Sequence, residues 1–189
     1  MSELPRSHEL LGRDDSRLLI IDMQERLLPH IDGHETVVEN CLKLIAGANV
    51  LEVPATGTEQ YPKGLGPTTP RLAEVLPACP EKLDFSCLNC LEWSGSGSDP
   101  ESRFKVVVAG IEAHVCVQQT VHDLLAHGFR VYVAADAVSS RKPFDRDTAL
   151  QRMSAAGAVI TTTEAILFEW CERAGSDEFK AISRLVKNG

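Results

Sequence analysis

Arg17-Leu-Leu-Ile-Ile-Asp22 is apolar at four consecutive positions, and Phe104-Lys-Val-Val-Val-Ala109 repeats the run after a single lysine. Uninterrupted runs of branched residues predict strands covered on both faces, as in a parallel sheet. Between them the spacing becomes helical. Val38, Leu42, Ile45 and Ala46 lay a stripe along Glu35 to Val50, and Val117, Val121, Leu124 and Leu125 do the same for Val115 to Ala126. Gly128 ends that second helix. Weaker strand patterns cover Leu51 to Thr56, with Pro54 near the end, and Pro80 to Phe85, a third strand or its approach. Arg130 to Ala134 and Ala158 to Thr161 complete the strands. Further helices are predicted over Arg71 to Leu76, Cys87 to Trp93 and Arg146 to Ala156. The tail from Thr163 is helical, with Ile166, Leu167 and Trp170 at core spacing.

Strands alternating with helices at this spacing predict an α/β three-layer sandwich, a six-stranded and mainly parallel sheet with helices on both faces. Residues 1–16 read as a partly ordered arm and residues 17–189 as one domain. GSGSDPES is the most linker-like stretch but is too short to divide two domains. TGTEQYPKGLGPTTP, dense in Gly, Pro and Thr, reads as an ordered loop over the site.

Composition removes several classes of function. At 189 residues the chain is long enough to bury a core without disulfides. Its net charge of −8, with no Lys/Arg cluster, argues against nucleic-acid binding. No apolar stretch approaches the roughly 20 residues of a membrane span. MSELPRSHELLGRDDS lacks the apolar centre of a signal peptide. The six cysteines are therefore expected reduced, in the cytoplasm.

Right-handed crossovers bring the ends of Ile21, Phe85 and Ala109 to one edge of the sheet, where open α/β sheets bind their ligands. Asp22, Lys82 and Cys116 then gather there. Cys116 stands in GIEAHVCVQQT, at the hinge between strand and helix, where main-chain N–H groups favour negative charge. A thiol is a weak nucleophile until its proton is taken, so a carboxylate base and an ammonium beside it form a coherent set. Spacing alone does not separate this set from an inert buried cysteine, a capping aspartate and a solvated lysine.

LLIIDMQERLLPHI, EKLDFS and GIEAHVCVQQTVHDLLAHGFRVYVAADAVSSR resemble the three motifs of the isochorismatase-like cysteine hydrolases, over about Leu18 to Glu172. TEQYPKGLGPT and the EAHVC variant are most similar to a branch of isochorismatase-domain proteins. The resemblance implies a sheet order of 3-2-1-4-5-6, with Asp22 as acid/base, Lys82 as its lysine and Cys116 as nucleophile. It also implies a cis peptide just before Glu112, so that the amides of Glu112 and Cys116 face one oxyanion. The implied reaction is hydrolysis of a small amide, or a related C–N bond, through a thioester-type intermediate. A dimer or larger assembly is implied too, with Phe168 and Trp170 as interface material.

Two departures narrow the substrate. Relatives that cleave a vinyl ether do not use the cysteine, so Cys116 argues against that reaction. Leu51 to Pro70 contains no His and no Asp, so the metal cluster of nicotinamidases is missing. Neither metal nor organic cofactor is expected. Gln60, Tyr61, Phe85 and His114 are the candidate substrate-binding residues, the first two in the Gly/Pro loop and His114 in the hinge. Cys87-x-x-Cys90 is a single pair without further ligands, which fits helix packing better than zinc or redox chemistry. GIEAHV lacks the GxGxxG fingerprint of a dinucleotide site. A second reading stays open: a binding or regulatory module that retains the fold without turnover.

Overall fold

Ser16–Ile21 is buried at every position and forms the central strand β1. The computed structural model describes residues 6–77, 79–91, 93, 97 and 102–187. The other strands are β2 Ala55–Gln60, β3 Glu81–Lys82, β4 Lys105–Ile111, β5 Arg130–Ser139 and β6 Val159–Thr161. They pair in the order β3-β2-β1-β4-β5-β6, every pair parallel. The helices are α1 His34–Val50, α2 Pro62–Leu65, α3 Pro70–Ala73, α4 Gln118–Ala126, α5 Pro143–Ala155, α6 Thr163–Cys171 and α7 Asp177–Lys187.

Alternation along β1 divides the core. Leu18 and Ile20 pack with Leu44 and Ile45 of α1, Ile166 and Leu167 of α6 and Ile182 of α7. Leu19 and Ile21 face the other layer, with Val121 and Leu124 of α4 and Met153 of α5. Each such fully buried aliphatic side chain contributes roughly 1.5–3 kcal/mol. Trp170, expected at an interface, is instead wholly buried in the first of these layers. Its spacing matched Ile166 and Leu167 because all three face the sheet. Phe168 is 38% exposed and lies 6.4 Å from Phe179.

Several boundaries differ from expectation. β2 begins at Ala55 and runs through the stretch read as a loop, because its polar side chains are buried against partners from other elements. The third strand is only two residues long. Cys87 to Trp93 contains a single 3-10 turn, Leu88–Cys90, in place of a helix. β5 continues to Ser139, past an irregularity in its pairing with β4 between Val108 and Gly110. Most of GSGSDPES lies outside the described residues. Ahead of β1, Leu11 is fully buried, Lys105 Nζ donates to Leu10 O (2.7 Å) and the Tyr132 hydroxyl to Glu9 O (2.7 Å). Among the described residues no helix is long and apolar enough to cross a membrane.

Gly110 of β4 leaves no room for a side chain against β1. Its φ is 115°, it pairs with Ile21, and an added Cβ would overlap the Ile21 main chain. Gly110→Ala is expected to cost about 3 kcal/mol or more, through backbone strain and a clash that no rotamer relieves. Urea unfolding checks this; a midpoint equal to that of the unmodified protein contradicts it.

Candidate active site

Asp22 is the first residue past β1, and its φ of 51° turns the chain sharply at the carboxyl edge. Aspartate tolerates this left-handed conformation better than most residues. Its carboxylate is fully buried and held from two sides. Thr58 Oγ1 donates to Oδ1 at 2.8 Å and Lys82 Nζ to Oδ2 at 2.7 Å. β2 lies beside β1 in the sheet and β3 beside β2, so parallel register delivers both donors to this one acid.

Lys82 is 3% exposed. Besides Asp22, its ammonium reaches Gln60 Oε1 (2.7 Å), Phe85 O (3.0 Å) and Asp84 O (3.3 Å). Three protons facing four acceptors leave none for a ligand. Lys82 therefore acts on the site through charge and through its grip on Asp22. Burial opposes its charge, but attraction from Asp22 outweighs burial and holds it above the usual lysine range.

β4 ends in a cis peptide between Ile111 and Glu112, and the chain then enters a wide π-type turn, Ala113–Val117. The amides of Val115 and Val117 both donate to Glu112 O (3.0 and 3.3 Å), folding the turn around Cys116. Such turns occur often at functional sites. The Cys116 side chain is buried. Burial first, and then the negative charge of Asp22, push its thiol well up, Lys82 pulls the other way, and a side-chain hydrogen bond to Asp22 keeps the proton on sulfur.

The other residues expected at the site divide. Gln60 is buried, but its polar atoms are committed: Oε1 to Lys82 and Nε2 to Leu83 O (2.8 Å). It positions the lysine through its carbonyl oxygen. Tyr61 and Phe85 are 49% and 52% exposed beside β3. His114 Nδ1 lies 3.0 Å from Ser140 Oγ, at the end of β5. The Glu112 side chain is 8% exposed and accepts from Arg141 (3.0 Å).

Sequence reasoning missed Gln24, Thr58 and Thr120, and read Cys87 only as a packing residue. Gln24 brackets the Gln60 main chain, accepting from its N–H (2.8 Å) and donating to its carbonyl (2.9 Å). Thr58 holds Asp22, and Cys87 Sγ lies 3.5 Å from Thr58 Oγ1. Thr120 Oγ1 accepts from the Cys87 amide (3.0 Å) and donates to Cys116 O (2.7 Å). The one signal available was a polar TGTEQ stretch between helices, which a buried strand reads only when partners wait for it. Among the described residues no group of three or more His, Cys, Asp or Glu could hold a metal ion.

A parallel sheet in this order, with an acid, an amine and a thiol converging at its carboxyl edge, defines a doubly wound α/β protein with its crevice at the strand ends. A family profile described as Isochorismatase domain matches residues 98–165. Isochorismatase domain-containing protein 2 of Danio rerio is 39% identical over 178 residues, 93% of this chain and 89% of that protein. The MAR1 ribonuclease of Caenorhabditis elegans is 36% identical and superposes with a TM-score of 0.85, covering 94% of this chain and 92% of that one. The YcaC gene product of Escherichia coli, an octameric hydrolase of unknown specificity, shares the fold at 22% identity and a TM-score of 0.83, over 96% and 92% of the two chains. The chain belongs to the isochorismatase-like hydrolase family.

Proposed function

We propose that the chain is a cysteine-dependent hydrolase of a small amide or related C–N bond. The observation that carries this reading is the buried Cys116 thiol close enough to the Asp22 carboxylate to feel its charge, with that carboxylate held by Lys82 at 2.7 Å. As Sγ attacks the carbonyl carbon, Asp22 takes the thiol proton, so charge builds on sulfur only while the new bond forms. The Glu112 and Cys116 amides donate to the oxyanion. Asp22 then returns its proton to the departing nitrogen, which leaves as ammonia or an amine. A water molecule, deprotonated by the same carboxylate, attacks the thioester and releases the acid and the thiol. Lys82 stays charged throughout and compensates the negative charge that moves between sulfur and carboxylate.

The same reading takes a small molecule as substrate, a cytoplasmic setting for the six unpaired thiols, and self-association, as in the octameric E. coli neighbour. Light scattering of the purified protein tests the last of these. The ribonuclease designation of the nematode neighbour enters as a control substrate, since a chain of net charge −8 is a poor partner for a polyanion.

The test is a panel of small primary amides and carbamoyl compounds, with RNA alongside, followed by ammonia release and by intact-mass analysis of acid-quenched protein. The expected result is ammonia release with an acyl group on the peptide containing Cys116. Saturable binding of amides without release favours the silent module. Turnover confined to RNA overturns the reading.

A further inference from the structure

The proposed mechanism leaves two buried polar groups beside Asp22 without a task, Thr58 and Cys87. Thr58 is 1% exposed and Cys87 fully buried. Neither touches the open edge, and their hydrogen bonds run in one direction.

A threonine hydroxyl has a single proton. At Thr58 that proton is committed to Asp22 Oδ1, at 2.8 Å, because an ionised carboxylate can only accept. The contact of Thr58 Oγ1 with Cys87 Sγ at 3.5 Å must therefore have the thiol as donor. The chain of donors reads Cys87 S–H to Thr58 O–H to Asp22. Cys87 suits the role, since burial and the negative charge of Asp22 push its thiol up to about 12, so it keeps its proton across the working range. Its place is fixed by the hydrogen bond that its main-chain N–H donates to Thr120 Oγ1, whose own proton goes to Cys116 O. The network thus returns to the turn that carries the attacking sulfur.

We infer, on the catalytic reading above, that Thr58 is a positioning residue for the acid/base carboxylate, and that Cys87 fixes the direction in which its hydroxyl points. With Oδ1 held by Thr58 and Oδ2 by Lys82, Asp22 cannot swing away from Cys116, and a donor on each oxygen stabilises its negative charge. Cys87 is then a structural donor, a role that needs its thiol reduced. The companion Cys90 thiol donates to the Cys87 carbonyl (3.1 Å) and does not enter the network.

The test needs no identified substrate. Iodoacetamide modification of Cys116, followed by peptide mass spectrometry from pH 4 to 10, gives a profile whose acid limb reports protonation of the coupled carboxylate–thiol pair. Removing a hydrogen-bond donor from a charged acceptor corresponds to about one to two pH units. Thr58→Val is expected to move the acid limb up by that amount, because the pair then gains its proton more readily. Thr58→Ser, which keeps the hydroxyl, is expected to leave the limb where it was. Cys87→Ala is expected to move it in the same direction as Thr58→Val but by less. Thermal melting confirms that each variant is folded.

An acid limb that Asp22→Asn abolishes but Thr58→Val fails to move overturns this inference and leaves the catalytic reading standing. A limb that Thr58→Ser moves as far as Thr58→Val also overturns it, since the methyl and not the hydroxyl is then responsible. Cys116 reactivity indifferent to Asp22→Asn overturns the catalytic reading, and this inference with it.

Discussion

Cys116→Ala is expected to abolish amide turnover, by a factor on the order of 10⁴ or more, while the protein stays folded. In the proposed mechanism the sulfur forms the covalent bond, and neither neighbour in the set replaces it. Lys82 has its protons committed, and Asp22 is held on both oxygens. The alanine should cost only about 1 kcal/mol of stability, as a small side chain lost from a packed position. Ammonia release and a urea melt on the same preparation check both halves. Turnover surviving above one part in a hundred would remove Cys116 from the mechanism. A collapsed melt would show that the thiol serves packing first.

The second large effect falls on stability as well as chemistry. Asp22→Asn removes one half of a buried ion pair, so its effect reaches the fold. With the carboxylate gone, Lys82 keeps a charge at 3% exposure and loses the anion that compensates it. Breaking a buried pair from one side costs about 3–5 kcal/mol. Asp22→Asn should therefore lose turnover, because an amide cannot take the thiol proton, and should also melt at markedly lower urea. Combining it with Lys82→Met should recover more than half of the lost stability and none of the activity, since an apolar pair needs no compensation. Additive losses in the double variant would mean that the two charges do not depend on each other.

What the sequence revealed follows how each element is stabilised. β1 and β4 carry their own reason for burial in unbroken runs of Leu, Ile and Val, and the α1 and α4 stripes face them, so the layers were legible. β2 was not, because Thr58 and Gln60 are polar residues made acceptable inside by Asp22, Gln24 and Lys82, which lie far away in the chain. β3 is two residues long and leaves no periodicity to detect. The Asp22, Lys82 and Cys116 grouping could be drawn from crossover handedness and from the family motifs. The donors that lock it could not, since nothing local marks a threonine or a cysteine as a hydrogen-bond partner. Trp170 lies in the core where its spacing put it, and only its second reading as interface material fails, because an apolar residue in a terminal helix reads the same whether another copy or its own sheet covers it.

The anchoring of the chain ahead of β1 has a practical consequence. Leu10 and Glu9 sit against Lys105 and Tyr132, at or near the starts of strands whose far ends lead to the candidate site. Seven residues of β4, at about 3.3 Å each, put roughly 20 Å of packed sheet between the two. A fluorophore or surface tether on Leu10, which is 38% exposed, leaves the crevice mouth unobstructed, so immobilised protein should still admit small molecules freely.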